Sequence, residues 1–164
     1  VGIRTILTLP NPLLRKVSLR AELPPSQWQS IIRDLWDTLD SHTGVGLAAP
    51  QIGESIRIIV VDATRAKRPV PHHGRMTLVN PVIIAKEGRI SFREGCLSVP
   101  DYVAHIERAE RILVEALNEH GDPCVFETQG FEAVIIQHEI DHLDGILFID
   151  RIRHARDLKP RPTS

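Results

Sequence analysis

The stretch Gly130-Phe131-Glu132-Ala133-Val134-Ile135-Ile136-Gln137-His138-Glu139-Ile140-Asp141-His142-Leu143, followed by Asp144-Gly145, decides the fold. Phe131, Val134, Ile135, His138 and His142 are separated by three, one, three and four residues. At about 100° per residue all five fall on one stripe of a helix, and Asp144-Gly145 reads as its glycine C-cap. The spacing therefore predicts a helix over 130–143 whose buried stripe carries two histidines. Histidines four residues apart stand one turn above each other and can reach a single metal ion. A glutamate beside the first can act on water held there. Composition predicts about 0.03 His-Glu-x-x-His matches by chance in a chain of this size, so histidines merely satisfied inside a core are the weaker account.

Outward from that helix the text is mostly strand-like. Arg57–Val61, Thr77–Ile84, Tyr102–Arg108, Arg111–Leu117 and Cys124–Phe126 are apolar or alternating runs, with Asn118–Asp122 as a turn. Pro81 inside the second run argues for an edge strand or a bulge. Arg65–Arg75, with Pro69 and Pro71, reads as a surface loop. Earlier, Pro24-Pro25-Ser26 announces a first helix whose apolar face is Trp28, Ile31, Ile32, Leu35 and Leu39. The expected fold is α+β, with short antiparallel strands packed around the central histidine-bearing helix.

The 164 residues are expected to form one domain, 1–164, with a short flexible tail from about residue 153. Twenty basic side chains against 21 acidic ones leave a net charge of −1, which argues against nucleic acid or an anionic membrane as a dominant partner. No apolar run is long enough to span a bilayer, and the segment from Val1 to Leu9 is too short for a secretory signal. Two cysteines make no disulfide scaffold and are read as thiols in a reducing compartment. A cytoplasmic setting follows as the expectation.

A metal needs a third protein ligand. The continuation His-x-x-Gly-x-x-His fails at Phe148, and no glutamate follows Glu139. Asp144, Asp150, Asp157 and His154 lie downstream without a diagnostic spacing. Upstream, Glu94-Gly95-Cys96-Leu97-Ser98-Val99-Pro100 presents a thiol on a turn. From residue chemistry alone Cys96 stays open between a soft thiolate ligand and a small buried hydrophobe. Cys124, within a strand, reads as core. Gly44-Val45-Gly46-Leu47-Ala48-Ala49-Pro50-Gln51 permits close backbone approach, and Gln51 is its one polar side chain.

Taken together, Gly44–Gln51, Glu94–Ser98 and Gln137–Leu143 resemble the three signature motifs of the peptide deformylases, in the same order, over about Ile6–Ile152. The resemblance implies Cys96 as third ligand beside His138 and His142, and removal of the formyl group from the N-terminal formyl-methionine of newly made polypeptides, releasing formate. It implies one divalent ion, Fe²⁺ in the cell, with Zn²⁺, Ni²⁺ or Co²⁺ able to occupy the site. Water attacks the formyl carbon at the metal, with Glu139 as general base and then general acid. Gln51 and the Leu97 N–H correspond to the donors to the developing oxyanion. Val45 and Gly46 correspond to backbone partners of an extended peptide, and Phe92, Glu94, Phe131, Val134 and Ile135 to the methionine pocket. A bacterial cytoplasm is the expected setting, with an organelle as the alternative.

Two departures carry expectations of their own. Many bacterial members have an arginine where this chain has Val103, which predicts altered peptide contacts beyond the methionine. Pro160 and Pro162 break any C-terminal helix, which argues against docking on the ribosome by that route. Competing readings are a general zinc endopeptidase, which lacks its downstream third ligand here, and a structural metal staple, which has no use for Glu139.

Overall fold

The computed structural model describes residues 2–162. Val1, Thr163 and Ser164, the ends of the expected 1–164 domain and of its tail, lie outside the described residues. Between helix α1 (Gln29–Asp40) and helix α2 (Gly130–Leu143) run seven strands, β1 (Gly46–Ala48), β2 (Ile58–Asp62), β3 (Arg75–Glu87), β4 (Ile90–Cys96), β5 (Val99–Arg108), β6 (Arg111–Leu117) and β7 (Pro123–Gln129), and an eighth, β8 (Leu158–Pro160), follows α2. One sheet has the order β1-β2-β3-β6-β7 and a second has β4-β5-β8, and every pairing is antiparallel. The α+β architecture matches the sequence reading, although β3 and β5 are longer than the expected short strands.

Strand β2 shows how the larger sheet is held. All five residues are buried, with Ile58 and Val60 in the cluster that contains Trp28, Leu35 and Leu39, and Ile59 and Val61 in the cluster that contains Ile135, Ile136 and Leu143. Alternation across the pleat thus gives one face of the strand to α1 and the other to α2. Each fully buried Ile or Leu contributes about 1.5–3 kcal/mol. Because α2 has sheet on one side and the second sheet near its other end, Glu132–Leu143 are buried all round rather than on one stripe. Glu132 tolerates this because its carboxylate accepts from the Thr128 hydroxyl (2.8 Å) and the His73 backbone N–H (2.7 Å). The same contacts tie the 66–74 loop to the helix.

Pro81 lies in an interior strand, not an edge, and the chain accommodates it with a bulge. The β3–β6 register shifts between Val79 and Val82, and Asn80 takes a left-handed φ of 52°. Its side-chain amide then clamps both backbone groups of Ala21. Helix α2 stops where expected, with Gly145 at φ 75° packed directly on the Arg15 backbone, a position closed to any side chain.

Within the C-terminal segment Leu158–Pro160 form β8 against β5, with Val103 opposite Lys159 and Ala104 opposite Leu158. Strand β5 has an open edge there, and an extended segment containing Pro160 can fill it because an edge strand leaves some N–H positions unneeded. No described helix is long and apolar enough to cross a membrane.

Candidate active site and metal centre

Three ligand candidates come from two elements. His138 and His142 project from α2 one turn apart, and Cys96 ends β4, where the β4–β5 register shifts between Gly95 and Cys96. That irregularity and the Leu97-Ser98 turn carry the thiol to 3.2 Å from His142 Nε2. Ligand atoms of Cys96, His138 and His142 all lie within 4.8 Å of one another. Asp144 pairs instead with Arg57, and Asp150 with Arg15. Among the described residues no carboxylate or further histidine joins the group.

The donor chemistry fits a metal. One thiol and two imidazoles suit Fe²⁺, Zn²⁺, Ni²⁺ or Co²⁺, and three protein donors leave a coordination position open. Burial opposes ionisation of Cys96, but the neighbouring His142 and His138 outweigh it and hold the thiol well below its ordinary value. The His138 Nδ1–H donates to Glu94 Oε1 at 2.8 Å, which leaves Nε2 for the cluster. Glu94 in turn accepts a two-pronged hydrogen bond from Arg108, 2.8 Å at each oxygen. Burial pushes the Glu94 carboxyl up, yet the Arg108 and His138 hydrogen bonds prevail and bring it to about 2. Arg108 also donates to Asp141 (2.6 Å), and Asp141 accepts twice from Arg151 at 2.8 Å.

Glu139 is in a different state. Burial, the largest influence, raises it to about 7, against the lowering effect of His138 and His142. Its Oε1 is buried without a hydrogen-bond partner, as is Nδ1 of His142. An unsatisfied carboxyl poised near neutrality beside candidate metal ligands is equipped to exchange a proton with something that enters the site. Gly46 packs directly against it, since a Cβ there would sit 2.9 Å from both Glu139 Oε2 and Ile135 Cγ2.

These groups share a cavity of about 230 Å³. Its walls include Val45 and Gly46 on one side, Glu94, Cys96 and Leu97 on the other, and Phe131, Val134, Ile135, His138 and Glu139 from α2. Gln51 also faces it. Its Oε1 accepts from the Ala48 N–H (3.0 Å), and its Nε2 donates to Ser98 Oγ (3.0 Å) with Cys96 Sγ at 3.6 Å. A larger, charged concavity of about 730 Å³ holds none of the three ligand candidates.

Two pocket expectations need correction. Phe92 is not part of the cavity wall; its ring packs against Phe131 with centroids 5.5 Å apart, behind the lining. Glu94 does border the cavity, but Arg108 and His138 occupy its carboxylate, so it is placed to orient His138 rather than to hold substrate. Cys124 is only partly buried on β7. Sequence reasoning missed Arg108, Asp141, Arg151 and Ser98, and also Thr43, Arg93 and Arg161 in the lining. Asp141 lay in plain view within the motif, whereas nothing local marks Arg108.

Comparison with known proteins agrees with this geometry. Residues 3–157 match the family model described as polypeptide deformylase. A peptide deformylase of Aquifex aeolicus (strain VF5) is 41% identical over 154 residues, covering 94% of this chain and 90% of that protein. The crystal structure of a peptide deformylase from Legionella pneumophila superposes with a TM-score of 0.83 at 42% identity, covering 92% of this chain and 86% of that one. A class I type b peptide deformylase from Acinetobacter baumannii, solved with Met-Ala-Ser bound, gives a TM-score of 0.84 at 33% identity over 92% of this chain and 98% of that one. With the match running through both helices, β1–β7 and all three ligand candidates, the chain belongs to the polypeptide deformylase family.

Proposed function

We propose that this chain hydrolyses the formyl amide at the N-terminal formyl-methionine of new polypeptides, giving formate and a free amine. The observation that carries the mechanism is Glu139, buried, unsatisfied at Oε1 and raised to about 7, lining the same cavity as Cys96 and His138, behind which His142 completes the ligand cluster. A divalent ion held by those three side chains would polarise the formyl carbonyl and make water acidic enough to ionise near neutrality. Fe²⁺ is the ion we assign in the cell, with Zn²⁺, Ni²⁺ or Co²⁺ as substitutes.

The remaining steps belong to this chain's own residues. Glu139 takes the proton of the attacking water and returns it to the amine as the carbon–nitrogen bond breaks. Gln51, fixed through Oε1 to the Ala48 N–H and through one Nε2–H to Ser98 Oγ, turns its second Nε2–H from Cys96 Sγ to the oxygen that gains charge at the tetrahedral stage, and the Leu97 N–H is the second donor; such donors are worth about 3–4 kcal/mol each. Backbone groups of Val45 and Gly46 hold the extended peptide. Phe131, Val134 and Ile135 receive the methionine side chain, with Phe92 buttressing Phe131. Glu94 orients His138. The named relatives are bacterial, and the bacterial cytoplasm, where formylated chains are made, is the setting this reading assigns.

The test is formate release from formyl-Met-Ala-Ser by Ni²⁺-loaded protein, with metal content measured on the same sample. Turnover at near one metal per chain is the expected result. A filled site that releases no formate would overturn the reading.

A further inference from the structure

The C-terminal segment delivers a cation to the cavity. Strand β8 pairs with β5 from Leu158 to Pro160, and the next residue, Arg161, is tied down twice: its backbone N–H donates to Asp101 O (2.8 Å) and its Nε–H to Pro100 O (2.7 Å). With Nε spent on that tether, Nη2 lies against Gly95, so close that a Cβ at Gly95 would sit 2.5 Å from it. Gly95 immediately precedes Cys96, and both Gly95 and Arg161 line the cavity. Among the described residues Arg161, like Arg93 in the same lining, has no carboxylate partner, whereas Arg4, Arg15, Arg57, Arg65, Arg75, Arg108 and Arg151 all have one, and Arg161 is the one tethered through Nε beside Gly95. A guanidinium anchored at Nε, whose outer N–H groups have no hydrogen-bond partner among the described residues, is a pre-aimed fork for an oxygen acceptor.

The direction of the substrate says which acceptor. Its formyl end must reach Glu139 and Cys96 at the bottom of the cavity, so the peptide beyond the methionine leaves past the mouth. What every such peptide offers there is main-chain carbonyl oxygen, plus a terminal carboxylate when it is short. We propose that Arg161 is a specificity-determining residue that binds a carbonyl or carboxylate oxygen of the residues following formyl-methionine. This rests on the deformylase reading. A merely structural Arg161, stapling β8 to the β4–β5 hairpin, would affect all substrates alike.

The test compares wild type, Arg161→Leu and Arg161→Lys as metal-loaded full chains on formyl-methioninamide and formyl-Met-Ala-Ser, together with Kd for the product Met-Ala-Ser by calorimetry. Arg161→Leu is expected to lower kcat/KM for the tripeptide about tenfold more than for formyl-methioninamide, through KM, and to weaken Met-Ala-Ser binding by a similar factor. Arg161→Lys should recover part of both. Equal losses on the two substrates, a loss in kcat alone, or unaltered Met-Ala-Ser affinity would overturn the proposal. If wild type itself releases no formate, the deformylase reading falls separately, and the Met-Ala-Ser affinities still decide whether Arg161 holds peptide.

Discussion

Replacing Glu94 with glutamine removes one negative charge from between Arg108 and His138 while keeping the shape of the side chain. The Glu94 and Arg108 side chains are only 5% and 3% exposed, and the carboxylate accepts three hydrogen bonds of 2.8 Å, two from Arg108 and one from His138. A carboxyl held at about 2 instead of 4.5 corresponds to roughly 3 kcal/mol in favour of the charged form, at about 1.4 kcal/mol per pH unit. The glutamine amide can accept at one oxygen only and turns an N–H toward a donor. Arg108 keeps Asp141 as a partner, which moderates the loss. Glu94→Gln should therefore cost about 2–4 kcal/mol in urea unfolding of the metal-free protein, and roughly 10–100-fold in metal affinity by chelator competition, because His138 loses its acceptor. The pH dependence has a definite sign. A carboxyl lowered by folding stabilises fully above its ordinary 4.5, and that stability drains away as pH falls toward 2. The variant should flatten the stability curve over that window. A loss under about 0.5 kcal/mol with unaltered metal affinity would show that Glu94 does not orient His138 and that the buried pair is no better than an exposed one.

Other perturbations separate the roles within the site. Glu139→Gln should keep its metal, by metal analysis, yet lose about 10²–10⁴ in formate turnover; full activity would remove Glu139 as the base. Cys96→Ala should lose metal as well as activity, and a variant that still holds one ion per chain would argue against the thiol as ligand. Gly46→Ala would drive a methyl to 2.9 Å from Glu139 Oε2 and Ile135 Cγ2, so turnover should fall at least about tenfold with metal content preserved. Iron-loaded protein should lose activity on aeration while nickel-loaded protein keeps it, checked by paired time courses; equal lifetimes would count against oxidation at the iron–thiolate site.

What could be read in the sequence followed from local periodicity and end signals. Helix α2, its stop at Gly145 and the inward aim of His138 and His142 all come from residues within one or two turns of each other. Pro81 announced a bulge because a missing N–H is a local fact. The choice between edge and interior was not local, since it depends on β2 and β6 flanking β3. Arg108 could not be assigned because its partners lie 14 and 33 residues away and only the fold brings them together. Strand β8 was hidden for a similar reason, as prolines exclude a helix but say nothing about an open edge on β5. Strand alternation puts Phe92 on the same face of β4 as Glu94 and Cys96, but only packing against Phe131 decides which ring meets the cavity.

The residues that sequence reading passed over share one physical task. Apolar packing can bury α2 against β2, but it is non-directional and cannot fix the rotation of an imidazole. The alternating series Arg151–Asp141–Arg108–Glu94–His138 can, because each link is a hydrogen bond with a defined angle. It starts on the 3₁₀ turn after α2, enters the helix at Asp141, crosses to β5 at Arg108 and to β4 at Glu94, and ends on a candidate ligand. Cys96 sits two residues beyond Glu94 on the same strand, so the series also locks the strand that carries the thiol to the helix that carries the histidines. Burying the Arg108 cation with the Glu94 and Asp141 carboxylates is costly unless they are paired, which makes partial disorder in this region unfavourable. Ligands drawn from separate elements are thereby held in register before any ion arrives, and Glu139, the one carboxylate left out of the series, is the one that remains free to move a proton.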